Sequence, residues 1–299
     1  VKHKNISDIG GPGKIPPPVA GRPWLRRLED GLFMVVVLLL SLLAILPLFF
    51  ILYYIFREGG AAVDWEFLVN LPRPVGEVGG GISNAMVGTL ILVVLAIVLS
   101  GPLGICVGIY LSESGGRGPA GWVRLGAEVL QGIPSIVIGI MAYLWVVRPM
   151  GSFSALSGGI ALGIMMLPFI ARSTEETLKR VPGDIREASL ALGVPYYRTV
   201  LKVLLPAGMS GIITGLLVSV ARVAGETAPL LFTAFGNPFM SADILKPIHS
   251  MPLLIFNYAV SPYEEWHTMA WGASVVLVTL VLFLNLVSKV VAARWKIRY

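Results

Sequence analysis

Two charged residues interrupt an apolar run late in the chain, Arg222 and Glu226, within A-R-V-A-G-E-T-A-P-L-L-F-T-A at positions 221–234. An Arg near the centre of a membrane helix costs about 2.5–3.5 kcal/mol on insertion scales, so such a residue faces a bundle interior or a water-filled path. If a span runs over 208–235, Arg222 lies about 21 Å along it from Gly208, close to mid-membrane. At i,i+4 spacing the two side chains share a helical face and can pair. Two chemistries are open to them. The pair can be a structural ion pair, each charge cancelling the burial cost of the other. Alternatively, Arg222 can offer its planar fork to a phosphate-like oxyanion while Glu226 holds it when the anion is absent. Thr227 adjoins them and is grouped with the same path.

A second segment is shaped for gripping. Glu187 to Pro206 reads E-A-S-L-A-L-G-V-P-Y-Y-R-T-V-L-K-V-L-L-P and lies between two membrane-length apolar stretches. Asp184 is expected to cap the first helix of a pair, with Glu187 three residues on completing a capping box. Gly193 permits the left-handed conformation that ends that helix after Leu192, and Pro195, following Val194, forbids its continuation. A second amphipathic stretch is expected from Tyr196 to Leu205. Ala188, Ser189 and Ala191 should give the first helix a small-residue surface that a groove wall can approach closely.

Composition decides the solvent in which these residues act. Hydrophobic residues make up 56% of the 299-residue chain and charged residues 13%, about half the share usual in soluble domains, so the chain reads as one integral membrane domain. The net charge of +6 could suggest nucleic acid, but the Lys and Arg residues sit beside apolar stretches without a basic, aromatic-interleaved stripe. Nucleic-acid binding is therefore not expected. The one cysteine, Cys106, permits no internal disulfide, and His3, His249 and His267 lack metal-site or catalytic spacing.

Apolar stretches at 32–56, 82–111, 125–147, 156–171, 208–235 and 270–291 predict an all-α, polytopic bundle of six transmembrane helices. With the N-terminus inside, cytoplasmic segments hold 18 Lys and Arg residues, whereas external segments hold only four: Arg57, Arg73, Arg148 and Lys246. That asymmetry places both termini and the 172–207 loop in the cytoplasm. The expected organisation is an N-terminal cytoplasmic arm (1–31), a membrane domain (32–291) and a short cytoplasmic tail (292–299). Trp65 to Pro74 and Gly236 to Thr268 are expected outside, with Ile248 to Val260 at the interface or re-entering. Gly104 and Gly108, Gly159 and Gly163, and Gly211 and Gly215 permit close helix approach. Pro47, Pro102, Pro134, Pro168 and Pro229 should each kink or break a helix.

The spacing of Glu187-Ala188-Ser189, Gly193 and Val203-Leu204-Leu205-Pro206 resembles the EAA loop in the membrane subunits of ATP-driven importers. The resemblance implies the type I importer permease fold. It also implies that Asp184, Glu187, Ala188, Ser189, Leu192, Gly193, Val194, Pro195 and Tyr196 form a coupling element seated in a separate ATPase. The run around Arg222, with I-Y-L-S-E at Ile109 to Glu113, G-I-P-S-I-V at Gly132 to Val137 and L-P-F-I-A-R at Leu167 to Arg172, resembles the PstA-type permeases of phosphate-specific importers over roughly residues 82–290. Ser189 departs from the second alanine of the EAA pattern. The resemblance implies a heterodimer with a sister PstC-type permease, a PstB-type ATPase dimer, an extracytoplasmic PstS-type phosphate-binding protein and a PhoU-type regulator, in a bacterial or archaeal plasma (inner) membrane. Arg172, carried over from L-P-F-I-A-R, is then a second anion contact or a positive-inside anchor.

The chain itself is not expected to be an enzyme or to bind a cofactor. It has no G-x-x-x-x-G-K-S/T phosphate loop, so ATP would be hydrolysed by the partner. An intramembrane enzyme would need more than Arg222, Glu226 and Glu128, and neither H-E-x-x-H nor G-x-S-x-G occurs. The alternatives left open are a permease for another oxyanion or a phosphonate, and a membrane sensor or scaffold without transport.

Overall fold

The computed structural model describes residues 23–77, 79–115 and 118–294. Most of the expected N-terminal arm therefore lies outside the described residues. From Pro23 the chain is already helical, so the end of that arm belongs to α1 (Pro23–Gly59). The expected tail is helical to Arg294 and lies outside the described residues beyond it. The chain to Tyr54 forms one unit and Ile55–Tyr299 a second. In the first unit α1 is apolar around its circumference, as a span requires.

In the second unit, a single turn, α2 (Trp65–Val69), is capped by Asp64, whose Oδ1 accepts the Phe67 N–H at 2.7 Å. The long helix α3 (Ser83–Glu113) follows, then α4 (Ala120–Gly132) and α5 (Ser135–Ala142). A π-helical stretch, Tyr143–Val147, leads from α5 into α6 (Arg148–Met150). Next comes α7 (Ala155–Lys179), started by a reciprocal cap between Ser154 and Ser157. Then α8 (Gly183–Ala191) and α9 (Tyr196–Thr199) form the two arms of a hairpin. A second π-helical stretch, Val200–Leu204, joins α9 to α10 (Leu205–Val223). The described residues end with α11 (Ala228–Leu231), α12 (Met251–Ala259) and α13 (Glu264–Arg294).

Among the described residues, five helices are long and apolar enough to cross a membrane, and a sixth span is available as the bent pair Ala120–Gly132 and Ser135–Met150. The expected third span, 125–147, is thus two helices meeting at 103° rather than one. The cause is local: Pro134 donates no N–H, and Ile133 before it takes an extended ψ of 129°. The expected fourth span, 156–171, is longer than its apolar core, because R-S-T-E-E-T-L-K carries α7 on to Lys179. The expected fifth span, 208–235, starts earlier, at Tyr196, and stops at Val223. Pro229 lies in the first turn of α11, beyond that break. Pro47, Pro102 and Pro168 lie within continuous helices, so of the expected kink or break it is not a break that they cause.

The core is organised around α7, with α3 and α10 packed along it. A methyl on Gly108 would lie 2.6 Å from the Ala171 carbonyl oxygen and 2.8 Å from Thr174 Cγ2, and a methyl on Gly215 would collide with Ser173. Both small-residue motifs therefore serve contacts with the same helix. Leu92, Ala96, Leu162, Met166, Ile170, Val220 and Leu230 fill the space between these helices. The segment expected to lie at the interface or re-enter, 248–260, carries the short helix α12, which buries Met251, Leu253 and Leu254 in the bundle.

Candidate functional site: a broken helix and a helical hairpin

α10 stops part-way along the bundle. Ala224 and Gly225 still donate backward, Ala224 to Val220 at 2.9 Å and Gly225 to Arg222 at 3.3 Å, but the helix does not resume until α11. Arg222 falls in its last turn, where a cation complements the negative end of the helix dipole. The guanidinium lies over the Phe169 ring, 4.5 Å from Cζ to the ring centroid. Phe169 is near the middle of α7, so the end of α10 meets α7 at about half its length.

Its partner is not the expected one. Among the described residues, Arg222 has no carboxylate within 4.0 Å, and the i,i+4 pair with Glu226 is not formed. The expectation assumed that the helix runs on through 226. It ends at Val223, and the turn that follows takes Glu226 out of register. Arg222 is exposed at the surface of this chain, while Glu226 and Thr227 are half-buried. Gly225 and Thr227 line a cavity of about 430 Å³ with Pro252, Phe256 and Ser274. Phe169 was not singled out in the sequence. Its signal was its place in L-P-F-I-A-R, which does not say what it faces.

Arg172 lies one turn beyond Phe169 and is engaged with acids. Its Nε donates to Glu176 at 2.7 Å and its Nη1 lies 3.7 Å from Glu175. The Glu175 side chain, 1% exposed, also accepts from Arg124 Nη2 at 2.6 Å and Lys179 Nζ at 2.5 Å. Three cations thus surround one buried carboxylate, and Arg124 ties α4 to α7 through it. Neither residue was a sequence candidate, since they lie 51 residues apart with the second arm of the bent pair between them.

The hairpin between α7 and α10 has the predicted turn. Gly193 has φ of 77°, its N–H donates to Leu190 at 2.9 Å, and the Val194 N–H donates to Ser189 at 3.3 Å. This double bond pattern satisfies the last carbonyls of α8. The start of α8 differs from expectation: Pro182 occupies the cap position and Asp184 lies inside the first turn, with no side-chain cap bond. The fixed φ and extended ψ of Pro182 start the helix, leaving Asp184 to act only through the helix dipole.

Glu187, Ala188, Leu190, Leu192, Pro195 and Tyr197 are exposed, Leu192 at 83%. Ser189 is not part of that surface. It is buried against α9, its hydroxyl 2.9 Å from that of Thr199, so it closes the hairpin from inside. The polar residue in place of alanine has a partner within the chain. Tyr196 is half-exposed, and its hydroxyl is held by Glu113 at the end of α3.

The family described as binding-protein-dependent transport system inner membrane component matches residues 104–297. The phosphate transport system permease protein PstA of Yersinia pestis is 40% identical over 273 residues, covering 91% of this chain and 92% of its own. The probable phosphate transport system permease protein PstA of Methanocaldococcus jannaschii is 38% identical, covering 87% of this chain and 92% of its own. Among solved structures, an inward-facing conformation of the MetNI methionine ABC transporter superposes with a TM-score of 0.58 at 19% identity, over 73% of this chain and 95% of that one.

Proposed function

Because the chain belongs to the family of binding-protein-dependent transport system inner membrane components, and within it to the PstA-type permeases, we propose that it forms part of the path by which an ATP-driven importer carries inorganic phosphate into the cytoplasm. The observation that carries this reading is 40% identity to a phosphate permease across nine-tenths of the chain. The sister subunit is a PstC-type permease, and a PstB-type ATPase dimer hydrolyses ATP against the exposed face of α8. A PstS-type protein delivers phosphate from outside, a PhoU-type protein regulates the complex, and the whole sits in the plasma (inner) membrane of a bacterium or archaeon.

In this reading Arg222 is the anion contact. A guanidinium seated on an aromatic face keeps its N–H donors free for a tetrahedral oxyanion, and no carboxylate has to be displaced first. The break after Val223 supports it, since non-helical backbone at membrane depth is tolerated where it lines a cavity. Glu226 and Thr227 flank the route, and Arg172, already committed to Glu175 and Glu176, is an anchor at its cytoplasmic end. The coupling residues are those on the outer face of the hairpin: Glu187, Ala188, Leu192 and Pro195.

The test is reconstitution of the chain with a PstC-type permease, PstB-type ATPase and PstS-type protein in vesicles, followed by ATP-dependent uptake of labelled phosphate. Uptake by the wild type, lost in an assembled Arg222→Gln complex, is the expected result. Wild-type-like uptake by Arg222→Gln would remove Arg222 from the path. An assembled, ATP-hydrolysing wild-type complex that moves no phosphate would redirect the cargo to another oxyanion.

A further inference from the structure

Glu113 is the last residue of α3 and of the I-Y-L-S-E run, and the function above gives it no role. A carboxylate at a helix C-terminus opposes the helix dipole, so this position is locally unfavourable for Glu. The side chain is only 11% exposed, and its two oxygens are divided between the two arms of the coupling hairpin. Oε1 accepts from Arg186 Nη2 on α8 at 2.5 Å, and Oε2 accepts from the Tyr196 hydroxyl at the start of α9. Arg186 and Tyr196 lie on opposite sides of the Gly193 turn and are 73 and 83 residues from Glu113.

The geometry sets two routes from the hairpin into the membrane. One is the backbone, since α9 continues through the π-helical stretch into α10. The other is this carboxylate, which reaches α3. Both α3 and α10 pack on α7, through Gly104 and Gly108 on one side and Gly211 and Gly215 on the other. Motion delivered to α10 alone would shear it along α7, whereas motion delivered to both helices can move them as a unit. Meanwhile the outer face of α8 and the turn, with Leu192 at its tip, is left free.

We infer that Glu113 is a positioning residue for coupling, a clamp that transmits movement of both hairpin arms to α3. Charge-assisted hydrogen bonds of this kind are roughly twice as strong as neutral ones, which suits a joint under load. The inference rests on the coupling reading of the hairpin and not on the identity of the cargo.

The test uses the whole complex in nanodiscs with the binding protein as purified with its own ligand, comparing wild type, Glu113→Gln, and the charge swap of Glu113→Arg with Arg186→Glu. The readouts are stimulation of ATP hydrolysis by the binding protein, co-purification of the ATPase, and amide exchange over 183–199. For Glu113→Gln we expect retained ATPase, faster exchange in the hairpin and about a tenfold loss of stimulation, within the usual range of coupling between sites. The charge swap should recover most of that loss. Exchange as slow as wild type overturns the clamp. So does faster exchange with stimulation intact, or a loss of stimulation that the swap does not recover. Because stimulation is read with whatever ligand the binding protein carries, a failure of phosphate uptake in wild type would sink the cargo reading without deciding this one.

Discussion

Replacing Phe169 with Leu tests whether the aromatic face beneath Arg222 orients the guanidinium. The ring centroid lies 4.5 Å from Arg222 Cζ, within the roughly 6 Å over which the ring quadrupole attracts a cation. Such contacts contribute about 0.5–1 kcal/mol at exposed sites and about 2 kcal/mol when desolvated. Arg222 is exposed on this chain and would be desolvated only against a partner permease, so the two limits bracket the effect. At 1.4 kcal/mol per factor of ten, Phe169→Leu should lower uptake at limiting phosphate between about twofold and about thirtyfold. Leu keeps the apolar contact with the bundle, so assembly should persist. Phe169→Tyr retains a ring face and should stay near wild type. The assay is the initial rate of ATP-dependent phosphate uptake over a range of external phosphate. Wild-type rates in Phe169→Leu, or equal losses in Leu and Tyr, would refute the orienting role.

At the Glu175 cage, Arg124→Gln should destabilise more than Glu175→Gln. The first leaves a carboxylate 1% exposed without its closest guanidinium, for about 2–3 kcal/mol, whereas the second leaves cations that are 27% and 47% exposed and can turn to water, for about 1 kcal/mol. Thermal unfolding in detergent reads both, and the reverse order would refute the asymmetry. Gly108→Val places side-chain atoms against the Ala171 carbonyl and Thr174, so we expect about 2–3 kcal/mol of overpacking and loss of monodisperse protein on size exclusion. Gly193→Val forces a β-branched residue into a φ of 77°, costing about 1–2 kcal/mol in the turn, so ATPase co-purification should fall while membrane insertion is unchanged. Burial in the loop before α12 pulls His249 from 6.5 down to about 4. As pH falls below about 6.5 the unfolded chain takes up this proton first, so stability should drop by about 1.4 kcal/mol per pH unit, about 3 kcal/mol in all by pH 4. His249→Gln should flatten that part of the pH dependence of the melting temperature, and an unchanged slope would show that other groups set it.

What the residues declare by themselves is what depends on neighbours along the chain. The helical membrane class follows from long apolar runs, and the hairpin stop follows from Gly193 and Pro195, whose backbone preferences need no partner. The glycine pairs likewise announce close helix approach, although not that both main motifs approach α7. Helix continuation was less legible. The stretch over 208–235 has the length of a single span despite Arg222 and Glu226, yet α10 stops at Val223 and α11 begins against α5, where the Pro229 backbone occupies the space a Gly139 side chain would need. That break separated Arg222 from Glu226 and left it on Phe169. Ser189 looked like a surface residue by analogy with alanine, and Thr199 turned it inward.

From the residues alone come the helical membrane class, a helical hairpin turned at Gly193 and an Arg set within an apolar stretch. The tertiary structure decided which groups those residues meet: Phe169 under Arg222, Glu175 between three cations, and Glu113 across both hairpin arms. The reason is range. Backbone preference and apolar periodicity act over a few residues, whereas the partner of a buried charge is chosen by packing between residues 51 to 83 positions apart, where desolvation makes an unmet group costly.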